Sequence, residues 1–220
     1  MKQEFLTLLK DARKNEKSPL GCQILEQLDE NLKIAGEDMI PICQDTGMAV
    51  VFIEIGQDVH IVGENIEDAI KQGVREGYVD GFLRKSVVKD PILRENTKDN
   101  TPAVIHYSIV PGENVKITIA PKGFGSENMS RVFMLKPADG IEGVKNAVLT
   151  AVKDAGPNAC PPMVVGVGVG GPLEKCAILA QNALARPADS SPKLPYVKEL
   201  EEELLTKINN LGIGQGGLGG

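Results

Sequence analysis

Tryptophan is absent from this sequence, and the other large aromatics are scarce: five phenylalanines and three tyrosines. A core built without rings must come from Val, Ile, Leu, Ala and Met, and no aromatic-studded basic stripe of the kind that stacks on nucleic-acid bases stands out. Positive charge is also short. Lys and Arg number 24 against 30 Asp and Glu, a formal net charge of −6, which argues against a phosphate-backbone partner. No apolar run approaches the length of a membrane span. The opening MKQEFLTLLKDARKNEK is charged throughout, so it is neither a signal nor a transit peptide. These absences predict a cytoplasmic protein with no membrane or nucleic-acid partner. The two histidines, His60 and His106, lie far from any cysteine, and the four cysteines (Cys22, Cys43, Cys160 and Cys176) include no CxxC pair. Spacing therefore excludes a structural zinc finger. Without a secretion signal the thiols are expected to be reduced, which favours metal or catalytic roles over disulfides.

What is present reads as alternating helical and strand patterns. Apolar residues at helical spacing over 3–15 (Phe5, Leu8, Leu9) and 20–35 (Ile24, Leu25, Leu28, Leu32) predict two helices split by KSPLG. The loop PICQDTG precedes the β-branched run MAVVFIEIG, a strand. A helix is predicted from its cap at Asn65 through NIEDAIKQGVREGYVDGFLRKSVV, then a polar loop, KDPILRENTKDNTP. AVIHYSIV and VKITIA flank PGEN and both alternate, which predicts an antiparallel hairpin. PKGFGSENMS is a glycine-rich loop. Further helices are predicted over 141–154, over LEKCAILAQNALA and, past the linker RPADSSPKLP, over YVKELEEELLTKINN. The expected fold class is α+β, a small mixed sheet with an antiparallel hairpin flanked by several helices, in a single domain spanning 1–220. The chain ends in the glycine-rich LGIGQGGLGG, which suggests a cut inside a functional loop, although a frayed tail is the simpler alternative.

One stretch invites two incompatible readings: NACPPMVVGVGVGGPLEKC. Gly166, Gly168 and Gly171 spell GxGxxG, the dinucleotide fingerprint. That motif needs a second strand ending in Asp or Glu beyond the following helix, and here another helix pattern follows. The NAD-binding alternative is therefore disfavoured, and the glycines are expected to permit close backbone approach. Upstream, Pro161 restrains Cys160 in an extended turn, a context that recurs in iron–sulfur ligation. Cys43 in ICQDTG is likewise a loop cysteine beside a strand. Cys22 and Cys176 sit on amphipathic patterns and read as small buried hydrophobes.

Together CQDTG, GYVDGFLRKSVV, NTKDNTPAVIHY, KGFGSENMS, NACPPMVVGVGVGG and the terminal GLGG, in this order from about residue 20 to the end, resemble the α subunit, or N-terminal domain, of the class I iron–sulfur fumarate hydratase and tartrate dehydratase family. The resemblance implies a 4Fe–4S cluster held by three cysteines, whose fourth iron is open to substrate as a Lewis acid. The matching ligands are Cys43 and Cys160. The third is expected beyond residue 220, so the 220-residue form is expected not to hold an intact cluster. The family more often carries a proline after the second glycine of the GLGG loop, which bears on its rigidity.

The same resemblance places Gln44 and Asp45 beside the open iron, Gln44 as a hydrogen-bonding partner of substrate and Asp45 in proton transfer or hydroxyl binding. Asp45 is equally the residue type a DTG turn uses to bond its own backbone. Arg84 matches a carboxylate clamp, which suits a planar guanidinium, though a solvated helix charge is the usual fate of an arginine. Gly125 matches a substrate-contacting position, and Lys122 and Ser126 are weaker candidates for substrate binding. His106 reads as a sheet residue, and His60 carries no motif. The implied activity is reversible hydration of fumarate to (S)-malate, with L-tartrate dehydration the alternative. A β subunit or C-terminal domain would complete the site, the assembly would be a homo- or hetero-oligomer, and the chain alone is expected to be inactive.

Overall fold

The computed structural model describes residues 3–159, 163–187 and 190–214. In chain order the elements are α1 (Gln3–Asn15), α2 (Pro19–Glu37), β1 (Met48–Gly56), α3 (Ile66–Asp80), β2 (Val104–Val110), β3 (Val115–Lys122), the single turn α4 (Phe124–Glu127), α5 (Gly140–Ala155), α6 (Leu173–Leu184) and α7 (Pro195–Asn209). Mixed helix and a small mixed sheet were expected, and that class is what forms. Two compact units share the chain: Met39–Phe124, and Met1–Asp38 together with Gly125–Gly220.

The Met39–Phe124 unit holds the sheet, in the order β2-β1-β3. β1 is the most continuously apolar run and takes the centre, where both of its edges are paired. Its Ala49, Val51 and Ile53 are each 1% exposed and meet Val74 and Tyr78 of α3, with Ile70, Leu83 and Ile105 packed around them. Ile70, Val74 and Tyr78 recur every four residues and so share one helix face. Full burial of each such aliphatic side chain contributes about 1.5–3 kcal/mol. Asn65 opens α3 by accepting the Glu67 N–H at 2.9 Å, and Glu67 and Asp68 lie in its positive first turn.

Two expectations are corrected here. The segments AVIHYSIV and VKITIA do not pair with each other. β1 lies between them, parallel to β2 and antiparallel to β3. The PGEN connection instead crosses the end of β1, where Gly56, Gln57 and Asp58 donate their N–H groups to the carbonyls of Asn114, Val110 and Gly112. Alternation and a short loop are compatible with either arrangement. The apolar run of β1 decides, because it loses most by standing at an edge. Second, the helix opened by Asn65 ends at Asp80, not at the end of FLRKSVV. Phe82 turns to φ 52°, and the chain beyond it runs irregularly. Arg84 therefore sits on a loop, not on a helix.

In the other unit, α1 and α2 form as expected and pack together. Ser18 caps α2 by accepting the Gly21 N–H at 3.2 Å, with Pro19 at the first helical position. α5 and α7 pack together, Val148, Val152 and Leu204 on them are buried, and Lys145 bridges Glu142 (2.8 Å) and Glu203 (2.7 Å). Residues 163–171 belong to no strand. They run along α6 so closely that a Cβ on Gly168 would lie 2.0 Å from the Cys176 carbonyl oxygen, and one on Gly166 2.4 Å from that of Ala180. Two extended residues advance about 6.6 Å and one helical turn about 5.4 Å, so Gly166 and Gly168, two residues apart, both face the helix and leave no room for a side chain. The glycines serve this close approach. Among the described residues, no helix is long and apolar enough to cross a membrane.

Candidate functional site

Topology gathers the loops. Met48 opens β1 opposite Lys122, which closes β3, so CQDTG meets Lys122 and Gly123, the start of KGFGS, at one end of the sheet. β2 runs parallel to β1, with Val50 beside Val104, which brings KDNTP to the same end. α3 returns the chain there as well, delivering FLRKS. Four segments distant in sequence thus converge on one rim of the Met39–Phe124 unit.

Gly47 is the pivot. Its φ is +67°, and an added Cβ would stand 2.2 Å from the Lys122 carbonyl oxygen and 2.6 Å from the Gly123 nitrogen. Immediately before it, Asp45 Oδ1 accepts the Gly47 N–H at 3.1 Å, which is the self-bonding turn the DTG sequence allows. Its Oδ2 lies 3.0 Å from where a Gly123 Cβ would be, so the carboxylate also faces the KGFGS loop. The Cys43 sulfur is half-buried, receives the Asp45 N–H at 3.4 Å and faces Gln44 Oε1 at 3.3 Å. Thr46 ties the loop to FLRKS by donating its hydroxyl to the Arg84 carbonyl at 3.2 Å. The Arg84 side chain is exposed, whereas Lys122 is half-buried and donates to the Gly123 carbonyl at 3.2 Å.

Of the residues singled out from sequence, Cys43, Gln44, Asp45, Arg84 and Lys122 thus belong to one rim. Gly125 and Ser126 belong to the other unit, and a Cβ on Gly125 would meet nothing within 4 Å. Cys160 lies outside the described residues. Cys22 and Cys176 point their thiols at helix-linked carbonyls, Glu16 at 3.5 Å and Leu173 at 3.1 Å. His106 stacks on Phe52 with centroids 5.1 Å apart, as a sheet residue.

Sequence reasoning passed over the residues beneath this rim. Asn100 has 0% exposure. Its Oδ1 accepts the N–H groups of Ser86 (2.7 Å) and Val87 (3.0 Å), and its Nδ2 donates to the Gly47 carbonyl at 2.9 Å. Tyr78 donates its hydroxyl to the Thr46 carbonyl at 3.0 Å. Burial pushes the Tyr78 phenol up, a hydrogen bond with Asn100 opposes that, and the Asp45 carboxylate adds to the rise. Next to Asn100, Asp99 takes hydrogen bonds from Arg75 and from Thr101, which hold its carboxyl below the usual carboxylate range. The available signal was slight: an Asn tolerates the φ of 61° found at Asn100, but polar loops are full of such residues.

Among the described residues no three His, Cys, Asp or Glu side chains cluster as a metal site. The Cys43 sulfur is half-buried and receives a backbone N–H, the kind of bond that outer-shell groups give a metal-bound thiolate.

A protein of Methanocaldococcus jannaschii named "Putative L(+)-tartrate dehydratase subunit alpha" is 43% identical over 219 residues, covering 96% of this chain and 76% of that protein. L(+)-tartrate dehydratase subunit alpha of Escherichia coli is 34% identical over 224 residues, covering all of this chain and 73% of the relative. The Shigella sonnei protein of the same name is 33% identical over 223 residues, with the same coverage. The profile of the fumarate hydratase (Fumerase) family matches residues 1–220, and the chain belongs to that family of hydro-lyases.

Proposed function

We propose that this chain is the α-type component of an iron–sulfur hydro-lyase that removes water from a small hydroxy-dicarboxylate, L(+)-tartrate before malate. The observation that carries the proposal is the convergence on one rim of a partly open thiol, a carboxylate and the loops bearing two cations: Cys43, Asp45, Arg84 and Lys122. The motifs alone pointed first to fumarate and (S)-malate. The relatives' names favour tartrate. Their designation as subunit alpha supports a β-type partner that completes the site, in a cytoplasmic hetero-oligomer.

Cys43 would hold the cluster, with Cys160 as a second ligand by its ACPP context and a third cysteine expected beyond residue 220. When bound, such a cluster supplies an open iron that draws charge from the departing hydroxyl. The chain's own residues do the rest. Arg84 offers a planar, bidentate hold on one carboxylate, and Lys122 a point charge for the other. Gln44 hydrogen-bonds a substrate oxygen. Asp45 keeps Oδ1 in its turn and uses Oδ2 to hold or move the proton.

In the complete enzyme, with the third ligand cysteine and the β-type partner both present, anaerobic supply of iron and sulfide is expected to give oxaloacetate from L(+)-tartrate. A site built to bond the second hydroxyl should prefer tartrate over malate by about tenfold or more in kcat/KM. Preference for malate would return the reading to fumarate hydratase.

A further inference from the structure

The rim residues are held by two buried side chains that, in the proposed function, do not touch substrate. Asn100 and Tyr78 (0% and 5% exposed) come from different elements, a loop before β2 and the face of α3. Both grip consecutive carbonyls of the Cys43 loop, Tyr78 that of Thr46 and Asn100 that of Gly47. The other end of the Asn100 amide grips the N–H groups of Ser86 and Val87, two and three residues past Arg84. The amide's donor and acceptor are thus divided between the thiol loop and the arginine loop. The Thr46 hydroxyl, bonded to the Arg84 carbonyl, closes the link at the surface. The backbone groups gripped here find their partners in side chains instead of in a strand or helix, so the bonds that satisfy them also set the spacing of the two loops.

We propose that Asn100 and Tyr78 are positioning residues, a buried polar strap that fixes the Cys43–Asp45 loop at a set separation from Arg84. This rests on the proposed function for its catalytic meaning, but the strap itself is testable without it. Asn100→Asp keeps the two acceptor bonds to Ser86 and Val87 and loses the donor to the Gly47 carbonyl. Tyr78→Phe keeps the ring in the core and loses the hydroxyl's bonds, to the Thr46 carbonyl and with Asn100, so at least one variant retains the packing.

The first arm measures alkylation of the full chain by iodoacetamide. Loss of one buried bond is worth about tenfold in the opening equilibrium, so Cys43 should react several-fold to about tenfold faster in either variant. Cys22 and Cys176, in the other unit, should keep their rates. The second arm measures turnover in the complex with the β-type partner. Each variant should lower kcat by about tenfold while KM changes less, because a loosened site misplaces reacting groups more than it loses binding ones. A lower thermal midpoint with Cys43 reactivity and kcat per folded molecule unchanged would overturn the proposal and leave the pair a purely structural role. If wild type turns over no dicarboxylate, the functional reading fails, and the Cys43 rate alone then decides for or against the strap.

Discussion

Asp45 takes up one of the two readings that the sequence left equal, the turn. Oδ1 makes the Asx bond to the Gly47 N–H, and Oδ2 faces Gly123 across the rim, so under the proposed function Oδ2 is the oxygen that handles the proton. Arg84 is separable in a different way. Its backbone carbonyl is a structural anchor for Thr46, while its side chain is exposed, so truncating the side chain should spare the fold. In the complete enzyme Arg84→Ala is expected to raise KM by about 10- to 100-fold, the worth of a charge-assisted carboxylate contact. The thermal midpoint should barely move, and Arg84→Lys should recover little, since a point charge cannot make the paired bonds. Steady-state kinetics of the complex check this, and an unchanged KM and kcat would remove Arg84 from the site. At this scale the rim was legible because Cys43, Gln44, Asp45, Arg84 and Lys122 lie in short, distinctive strings. Asn100 and Tyr78 were not, because an asparagine in KDNTP and a tyrosine in REGYVD acquire their roles only when three loops close over them.

Elements were legible where a single period rules. The helices from Gln3, Pro19, Gly140, Leu173 and Pro195, and the strand from Met48, follow their patterns to within a few residues. Pairing was not legible. Whether two alternating strands four residues apart form a hairpin or flank a third depends on which strand most needs the middle, a comparison across the sheet that no local window contains. The end of α3 was missed for a related reason: FLRKSVV continues a helical pattern, yet its amides at Ser86 and Val87 bond to the Asn100 side chain instead. Gly47 tests the element-scale account most sharply. Gly47→Ala adds a left-handed strain of about 1–3 kcal/mol and a collision with the Lys122 carbonyl, so a loss of roughly 2 kcal/mol or more is expected in urea unfolding. A loss below about 0.5 kcal/mol, the size expected of an indifferent surface site, would show that the two loops do not meet as described.

At the scale of the whole molecule, the GxGxxG fingerprint resolves as a packing device. The glycines let residues 163–171 lie against α6, with no strand there to build a dinucleotide fold, and family membership covers the full length of the chain. What the sequence could not order was substrate: every motif quoted is shared by hydratases of fumarate and dehydratases of tartrate, and only the relatives' names favour tartrate. The central claim is narrower than either substrate: the Cys43 thiol is a ligand of the reacting centre. The direct measurement is Cys43→Ser in the anaerobically reconstituted complete enzyme, with the third ligand cysteine and the β-type partner present, and with iron, sulfide and dehydration followed together. Iron and sulfide should fall well below wild type and turnover of L(+)-tartrate and malate should vanish, while the far-ultraviolet dichroism of the chain is unchanged. A serine variant that keeps the wild-type iron, sulfide and turnover would contradict the account.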